Sequence, residues 1–411
     1  MIVDEKKDLY EVGEIPPLGY VPKYMYAWTL RDERLGEPIN AYQKEVVEIP
    51  QLRENEVLVL NYTCGINYNG VWAALGHPKN VVKSQGVYDK NPVDFFICGS
   101  ESCGVVYAVG ERVSSVNIGD KVICTGVQYD VNCEIYKETQ DPRVSPSFRI
   151  WGYEGNWGAF AQFSKVMDIQ CVKKSEALSD LTAGSVMATG ATIHNMLKGW
   201  KGNEIKPGDV VLIWGGSGGL GSNAIPIVKS YGGVPIAVVS NDERGRHCIE
   251  LGAKGYINRS KYNHWGMLSQ EYYNEETVGK WLMNVAGFRK ELYRILGERK
   301  DPNIILEHPG SDTLPTSIFL CAKKGMVVIC GATSGYVGSL DLRYLWLGVK
   351  RLQGSHAGLT SDIKEYMNMI ETGKITPKTD IIYQFDDIAK VHQMLFDKSC
   401  PPGNIAIQII K

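Results

Sequence analysis

Three glycines, Gly216, Gly218 and Gly221, stand at Gly-x-Gly-x-x-Gly spacing within Asp209-Val-Val-Leu-Ile-Trp-Gly-Gly-Ser-Gly-Gly-Leu-Gly-Ser222. That spacing lets a backbone turn tightly, approach a pyrophosphate closely and pack a helix against a strand. The elements that must position it are adjacent in sequence. Val210 to Trp214 is an unbroken apolar run of strand length, suited to a parallel strand buried on both faces. Leu220 to Tyr231 reads as the following helix. The amides of Ser217, Gly219 and Leu220 would then stand at a helix N-terminus, where free N–H groups and the dipole favour phosphate. A glycine-rich connection without a ligand is the plainer alternative, and the next strand argues against it.

That strand, Pro235 to Val239, ends at Ser240, the position where an NAD site carries an acidic residue for the ribose hydroxyls. Arg244 follows it, and Arg259 closes the next strand, Gly255 to Asn258. A small hydroxyl with two guanidinium groups suits a 2′-phosphate, which Arg clamps in a bidentate way. NADPH is therefore the expected cofactor. Asp242 and Glu243 fit as first-turn acids of a helix, favoured by its dipole.

Length and composition bound the rest. A chain of 411 residues with 44% apolar content has room for two domains with sizeable cores. A net charge of −2 without long runs of one sign argues against nucleic acid or an acidic membrane surface as partner. No stretch approaches ~18 consecutive apolar residues, and the N-terminus lacks an apolar signal segment, so a cytoplasmic protein is expected. The ten cysteines are scattered without a Cys-x-x-Cys pair and read as reduced, mostly buried residues.

Along the chain, residues 1 to 23 are an irregular lead-in. Strand signals follow at Tyr24 to Leu30, Val46 to Ile49, Glu56 to Tyr62, Gly104 to Val109 and Lys121 to Cys124, predicting a small, partly open β-barrel. Residues 128 to 150 read as a surface excursion. Leu178 to about Met196 reads as a helical approach to an α/β, doubly wound domain that runs to about residue 355. An aromatic-rich insertion (His264, Trp265, Tyr272, Tyr273, Trp281) interrupts it and is best explained by core packing or a subunit interface. The apolar strand ending at Ile410 is expected to rejoin the β domain.

At this point the residues carry a resemblance. The chain is similar to crotonyl-CoA carboxylase/reductases and related enoyl-CoA reductases of the medium-chain dehydrogenase/reductase superfamily. The motifs are Ile66-Asn-Tyr-Asn-Gly-Val-Trp72, Trp151-Gly-Tyr-Glu-Gly-Asn-Trp-Gly158, the glycine loop, Glu307-His-Pro-Gly310, Thr333-Ser-Gly-Tyr336, Arg343-Tyr-Leu-Trp346 and Gly354-Ser-His356. The resemblance implies a GroES-like catalytic domain over residues 1–185, a Rossmann domain over 186–355, and a return of 356–411 to the catalytic domain. It also implies a homo-oligomer, dimer or tetramer.

The zinc branch of that superfamily is excluded by residue type. A catalytic zinc needs about three N, S or O ligands and an open position. The expected first ligand position holds Asn67 rather than Cys, and the usual Gly-His-Glu reads Gly99-Ser100-Glu101. Without a metal to polarise an alcohol or carbonyl, reduction of an activated C=C bond is the remaining chemistry, with donors near the thioester oxygen stabilising the developing enolate.

The enolate then takes a proton or CO2. The resemblance implies that Asn69, Tyr153, Glu154 and His356 hold CO2 beside it, with Tyr153 standing where the family has Phe. If that side chain keeps the pocket dry, a phenol admits water and favours protonation; if its backbone does the work, the change matters little. Gly331 and Thr333 join Gly216, Ser217, Gly218, Gly219, Leu220, Gly221, Ser240, Arg244 and Arg259 as expected cofactor contacts. Arg343, Tyr344 and Lys324 match positions used for the CoA adenine nucleotide.

Ordinary roles are available for each residue. His356 could be a strand-end histidine, Glu154 an exposed loop acid, Asn69 a helix N-cap, Arg343 a surface residue on a packed helix, and His308 a shaper of its loop. The expected activity is NADPH-dependent reduction of a short-chain 2-enoyl-CoA, crotonyl-CoA or acryloyl-CoA, with reductive carboxylation to an ethylmalonyl- or methylmalonyl-type product. A purely protonating reductase, a zinc-free quinone or enal reductase, and a non-enzymatic dinucleotide-binding protein are the alternatives.

Overall fold

The computed structural model describes residues 3–87, 89, 91–268, 274–379 and 381–411. The chain forms two compact units. One comprises Met1–Ala188, Leu359–Glu371 and Lys378–Lys411; the other comprises Thr189–Gly358 and Thr372–Pro377.

The first unit is built on the strand Glu56–Gly65. Val57, Leu58, Val59 and Leu60 are all buried, so this strand is covered on both faces. Ser102–Val109 pairs with it along one edge, while Phe163–Met167 and the C-terminal strand Ile405–Gln408 share the other, all antiparallel. Shifts of register at Leu58/Val59 and Asn61/Thr63 bend the strand as bulges do. The full seven-stranded sheet extends through Lys121–Cys124 to Cys171–Lys173 on one side and to Ile381–Gln384 on the other. A second sheet of three strands, Gln43–Glu48, Tyr24–Leu30 and Phe96–Ile97, packs its apolar residues into the same core. The C-terminal strand thus joins the β unit, as its alternating pattern predicts.

The second unit is a six-stranded, fully parallel sheet. Its order is Gly255–Asn258, Val234–Val239, Val210–Trp214, Ile304–Glu307, Met326–Ile329 and Arg351–Gly354. The strand order reverses between Val210–Trp214 and Ile304–Glu307, the switch point at whose carboxyl end doubly wound sheets bind ligands. All five residues of Val210–Trp214 are buried.

Two sequence expectations change, and a third, core packing of the aromatic insertion, holds. The expected helix from Leu178 to Met196 breaks into Asp180–Ala183, capped by the Ser179 hydroxyl, and Met187–Lys198. Residues 128–150 are not merely an excursion: Val127–Gln128 pairs with Arg149–Ile150, and a helix, Glu134–Thr139, lies between them. The aromatic insertion is packing. His264 is buried, the rings of Trp265 and Phe288 flank Trp214, and Trp281 meets Phe319 edge-on. Tyr272 and Tyr273 lie outside the described residues.

Candidate active site

The second unit supplies a dinucleotide cradle. Gly218 is the N-cap of the helix Gly219–Ser230, so the first-turn amides of Gly219, Leu220 and Gly221 have no partner within the helix. A Cβ on Gly221 would stand 2.4 Å from the backbone of Gly216, so only glycine lets the helix close on the loop. Ser217 is buried, and its hydroxyl accepts a hydrogen bond from Arg244 Nη1 at 3.3 Å. Ser240 is exposed at the end of its strand. Arg259 is half-buried at the end of the next strand, and its side chain makes no hydrogen bond or ion pair among the described residues. Asp242 is turned toward Asn258 Nδ2 (3.1 Å) and Lys261. Asp242 and Glu243 do sit in that first turn, capped by Asn241, as their types predict. A hydroxyl, two guanidinium groups and a glycine-lined helix start fit a dinucleotide carrying a 2′-phosphate.

The floor of the cradle is tied to the neighbouring strand. His308 Nε2 donates to the carbonyl of Trp214 at 3.0 Å, and burial lowers its pKa, so the ring stays neutral. Glu307 is wholly buried. It accepts from Gly310 N (3.1 Å), Thr313 Oγ1 (2.6 Å) and Ser317 Oγ (2.5 Å), while Ser317 accepts from Trp214 Nε1 (2.8 Å). Burial, only partly offset by those donors, pushes the Glu307 carboxyl up to about 7. His308 therefore shapes the loop, and Glu307 braces the wall beside it. Thr333 N donates to His308 O at 3.1 Å, which brings the turn holding Gly331 and Thr333 against the same crevice.

His356 is exposed, two residues beyond the strand Arg351–Gly354; the preceding Ser355 is anchored to Asn195 Oδ1 at 3.2 Å. Arg343 and Tyr344 lie on the short helix Leu342–Trp346. Arg343 grips Asp341 with two nitrogens (3.0 and 2.6 Å), and the Tyr344 ring meets Phe319 edge-on at 4.9 Å. Lys324 sits in a left-handed turn whose amide donates to Gly348 O at 2.8 Å, which brings it to the loop following that helix. The helix is short, and Trp346 on it is exposed rather than packed.

The first unit supplies the other residues. Asn69 lies in the first turn of the helix Tyr68–Leu75, half-buried, and its amide makes no hydrogen bond to any described residue. Asn67, not Asn69, is the N-cap, and its side chain does not cap the helix. Instead Asn67 Nδ2 donates to Glu101 Oε1 at 2.7 Å, while Ala188 N donates to Glu101 Oε2 at 2.9 Å. Glu101 is buried, and burial raises its carboxyl to about 7 against these hydrogen bonds. A Cβ on Gly65 would fall 2.3 Å from Glu101 Oε1, so that glycine opens the space the carboxyl fills. A neutral amide and a carboxyl that bond each other and the backbone are a poor donor set for zinc.

Tyr153 and Glu154 lie in a tight turn whose amides at Tyr153, Glu154 and Gly155 all converge on Ile150 O. Glu154 is no exposed loop acid. Its Oε2 accepts from Ile150 N at 2.9 Å and its Oε1 from Lys79 Nζ at 2.7 Å. The Tyr153 hydroxyl donates to His77 O at 2.9 Å. Asn69, Tyr153 and Glu154 belong to the first unit and His356 to the second. Sequence reasoning missed Lys79, which carries no motif of its own.

Comparison with known proteins agrees with this architecture. An alcohol dehydrogenase GroES-like domain model matches residues 53–176, and a zinc-binding dehydrogenase model matches residues 219–372. Among curated relatives, crotonyl-CoA carboxylase/reductase of Cereibacter sphaeroides is 41% identical over 405 residues, covering 98% of this chain and 92% of the relative. The solved structure of crotonyl-CoA carboxylase/reductase AntE in complex with NADP superposes with a TM-score of 0.93 at 44% identity, covering 98% of this chain and 99% of that one. The 2-octenoyl-CoA carboxylase reductase CinF, solved with NADP and 2-octenoyl-CoA, gives 0.85 at 28% identity over 95% of this chain and 88% of that one. A GroES-like β unit, a Rossmann unit and identity of this extent along nearly the whole of both chains establish that the protein belongs to the crotonyl-CoA carboxylase/reductase family of medium-chain dehydrogenases/reductases.

Proposed function

We propose that the protein reduces a short-chain 2-enoyl-CoA, crotonyl-CoA or acryloyl-CoA, at the expense of NADPH, and that it carboxylates the resulting enolate with CO2. The observation that carries this reading is the Asn67–Glu101 hydrogen bond, which fills the position of a metal ligand set with groups that satisfy each other. Bound NADPH would supply the hydride for the β-carbon of the enoyl thioester. The electrons of the C=C bond then reside on the α-carbon and thioester oxygen, and the α-carbon forms its new bond to CO2 or to a proton.

The chain's own groups favour the first outcome in stated ways. Ser217, Ser240, Arg244 and Arg259 bind the dinucleotide's phosphates, together with the amides of the Gly216–Gly221 loop; Gly331 and Thr333 flank the same crevice. Arg343, Tyr344 and Lys324 receive the CoA nucleotide. The uncommitted Asn69 amide donates to an oxygen of CO2. Glu154, with both oxygens already held by donors, keeps lone pairs that accept from a water, and His356 serves the same step. The Tyr153 hydroxyl is occupied by His77 O, which supports its standing in for Phe without wetting the pocket.

The unit bearing the cofactor loop also carries exposed Tyr336, Val337, Trp346, Leu347, Val349 and Leu352 around the edge strand Arg351–Gly354. An open sheet edge flanked by apolar side chains favours self-association, and a homodimer or tetramer is part of this reading. No helix among the described residues is long and apolar enough to cross a membrane, and all ten cysteines are free thiols, in keeping with a reducing compartment such as the cytoplasm. Product analysis with enoyl-CoA, NADPH and bicarbonate tests the activity. Oxidation of NADPH with saturated acyl-CoA as sole product would instead support a protonating reductase. Turnover of quinones or free enals but not CoA esters would support the quinone or enal reductase.

A further inference from the structure

We infer that Lys79 is a positioning residue for the carboxylation step, fastening the turn of Glu154 to the segment that follows the Asn69 helix; this rests on the reading of function above. The helix Tyr68–Leu75 ends at Gly76, and residues 77 to 79 leave it directly. Two polar contacts join this segment to the turn at residues 150–155. Tyr153 Oη donates to His77 O at 2.9 Å, and Lys79 Nζ pairs with Glu154 Oε1 at 2.7 Å. The turn itself is closed by Ile150, whose amide donates to Glu154 Oε2 and whose carbonyl receives three amides. Glu154 is therefore gripped at both oxygens, from its own turn on one side and from the end of the Asn69 helix on the other.

The consequence is geometric. Asn69 and Glu154 lie far apart in sequence, and Lys79 with His77 supplies a direct polar tie between their two segments. A carboxylate held at one oxygen only can swing about its side-chain torsions; held at both, it keeps one orientation. The ion pair is half-exposed, with side-chain exposures of 30% for Lys79 and 18% for Glu154, so it contributes little to overall stability. Loss of Lys79 should therefore be felt in what Glu154 does rather than in folding.

The test uses the full-length enzyme with crotonyl-CoA, NADPH and saturating bicarbonate, resolving carboxylated from saturated product. Lys79→Met should lower the ratio of carboxylated to saturated product about ten-fold, more than it lowers total NADPH oxidation, and leave the Michaelis constant for NADPH near that of wild type. Lys79→Arg should recover most of the ratio. Because Lys79 acts through Glu154, the double variant Lys79→Met/Glu154→Gln should match Glu154→Gln alone. An unchanged ratio in Lys79→Met, or additive losses in the double variant, overturns the inference while leaving the activity intact. Absence of carboxylated product from wild type overturns the proposed activity and this inference together.

Discussion

Asn67 Nδ2 stands 2.7 Å from Glu101 Oε1, and this contact couples the cap of the Asn69 helix to a buried acid. The acid needs such company: with its other oxygen on Ala188 N, it is held without a cation. Exhaustive chelation should therefore leave both the unfolding midpoint and the rate of NADPH oxidation unchanged. Stoichiometric zinc whose removal abolishes activity would show that Asn67 and Glu101 do something other than satisfy each other.

Burial of carboxyls sets a pH dependence. Glu101 and Glu307 are each raised from 4.5 to about 7, so folding takes up protons between those values. Their contribution to stability is full below the unfolded value and is lost as pH rises through the folded one. His264 and His392, lowered from 6.5 to about 4 by burial, act oppositely, and stability is lost as pH falls through that window. Above about pH 6.5 the carboxyls outweigh these histidines, which are already half titrated in the unfolded chain, and each carboxyl should remove about 1 kcal/mol by pH 8. Thermal melts should show a midpoint that declines from near neutral to mildly alkaline pH, and Glu101→Gln should shallow that decline whatever its absolute cost. A midpoint that rises over this interval contradicts the assignment.

Cofactor choice follows from Arg244 and Arg259. Replacing both by Ala should raise the Michaelis constant for NADPH by roughly 10–100-fold, the worth of one or two charge-assisted contacts, with little effect on that for NADH. Equal effects on the two cofactors would remove the 2′-phosphate from this corner.

Tyr153→Phe removes a hydroxyl whose visible partner is His77 O. The expected cost is about 0.5–1.5 kcal/mol of stability, with the carboxylated fraction held or raised. A fall in that fraction would mean that the phenol takes part in the chemistry.

Much of the fold was legible because burial writes itself into residue type. The strands Tyr24–Leu30 and Lys121–Cys124 have the bounds that alternation and turn residues predict. Val210–Trp214 announces a doubly covered strand, and Gly216 and Gly221 after it have no room for a Cβ. What stayed hidden depends on direction rather than type. Asn67 has the composition of a cap, yet its amide turns to Glu101, a partner thirty-four positions away. Lys79 and Glu154 lie seventy-five positions apart without any pattern linking them. The break between Asp180–Ala183 and Met187–Lys198 falls at Gly184, where a Cβ would strike Thr63 of the central strand, a tertiary constraint invisible locally.

The central claim is that hydride delivery to an enoyl-CoA ends in capture of CO2, and that Asn69, Glu154 and His356 each serve that capture. The most direct measurement supplies crotonyl-CoA, NADPH and 13C-labelled bicarbonate, and resolves products by mass for wild type, Asn69→Leu and His356→Asn. The account predicts a labelled carboxylated acyl-CoA from wild type. It also predicts, for each variant, a loss of carboxylated fraction larger than the loss of total NADPH oxidation, by analogy with the roughly 10²–10³-fold effects of single donors at oxyanion sites. Unlabelled, saturated acyl-CoA as the sole wild-type product, unchanged by Tyr153→Phe, would contradict it and leave a proton-delivering reductase.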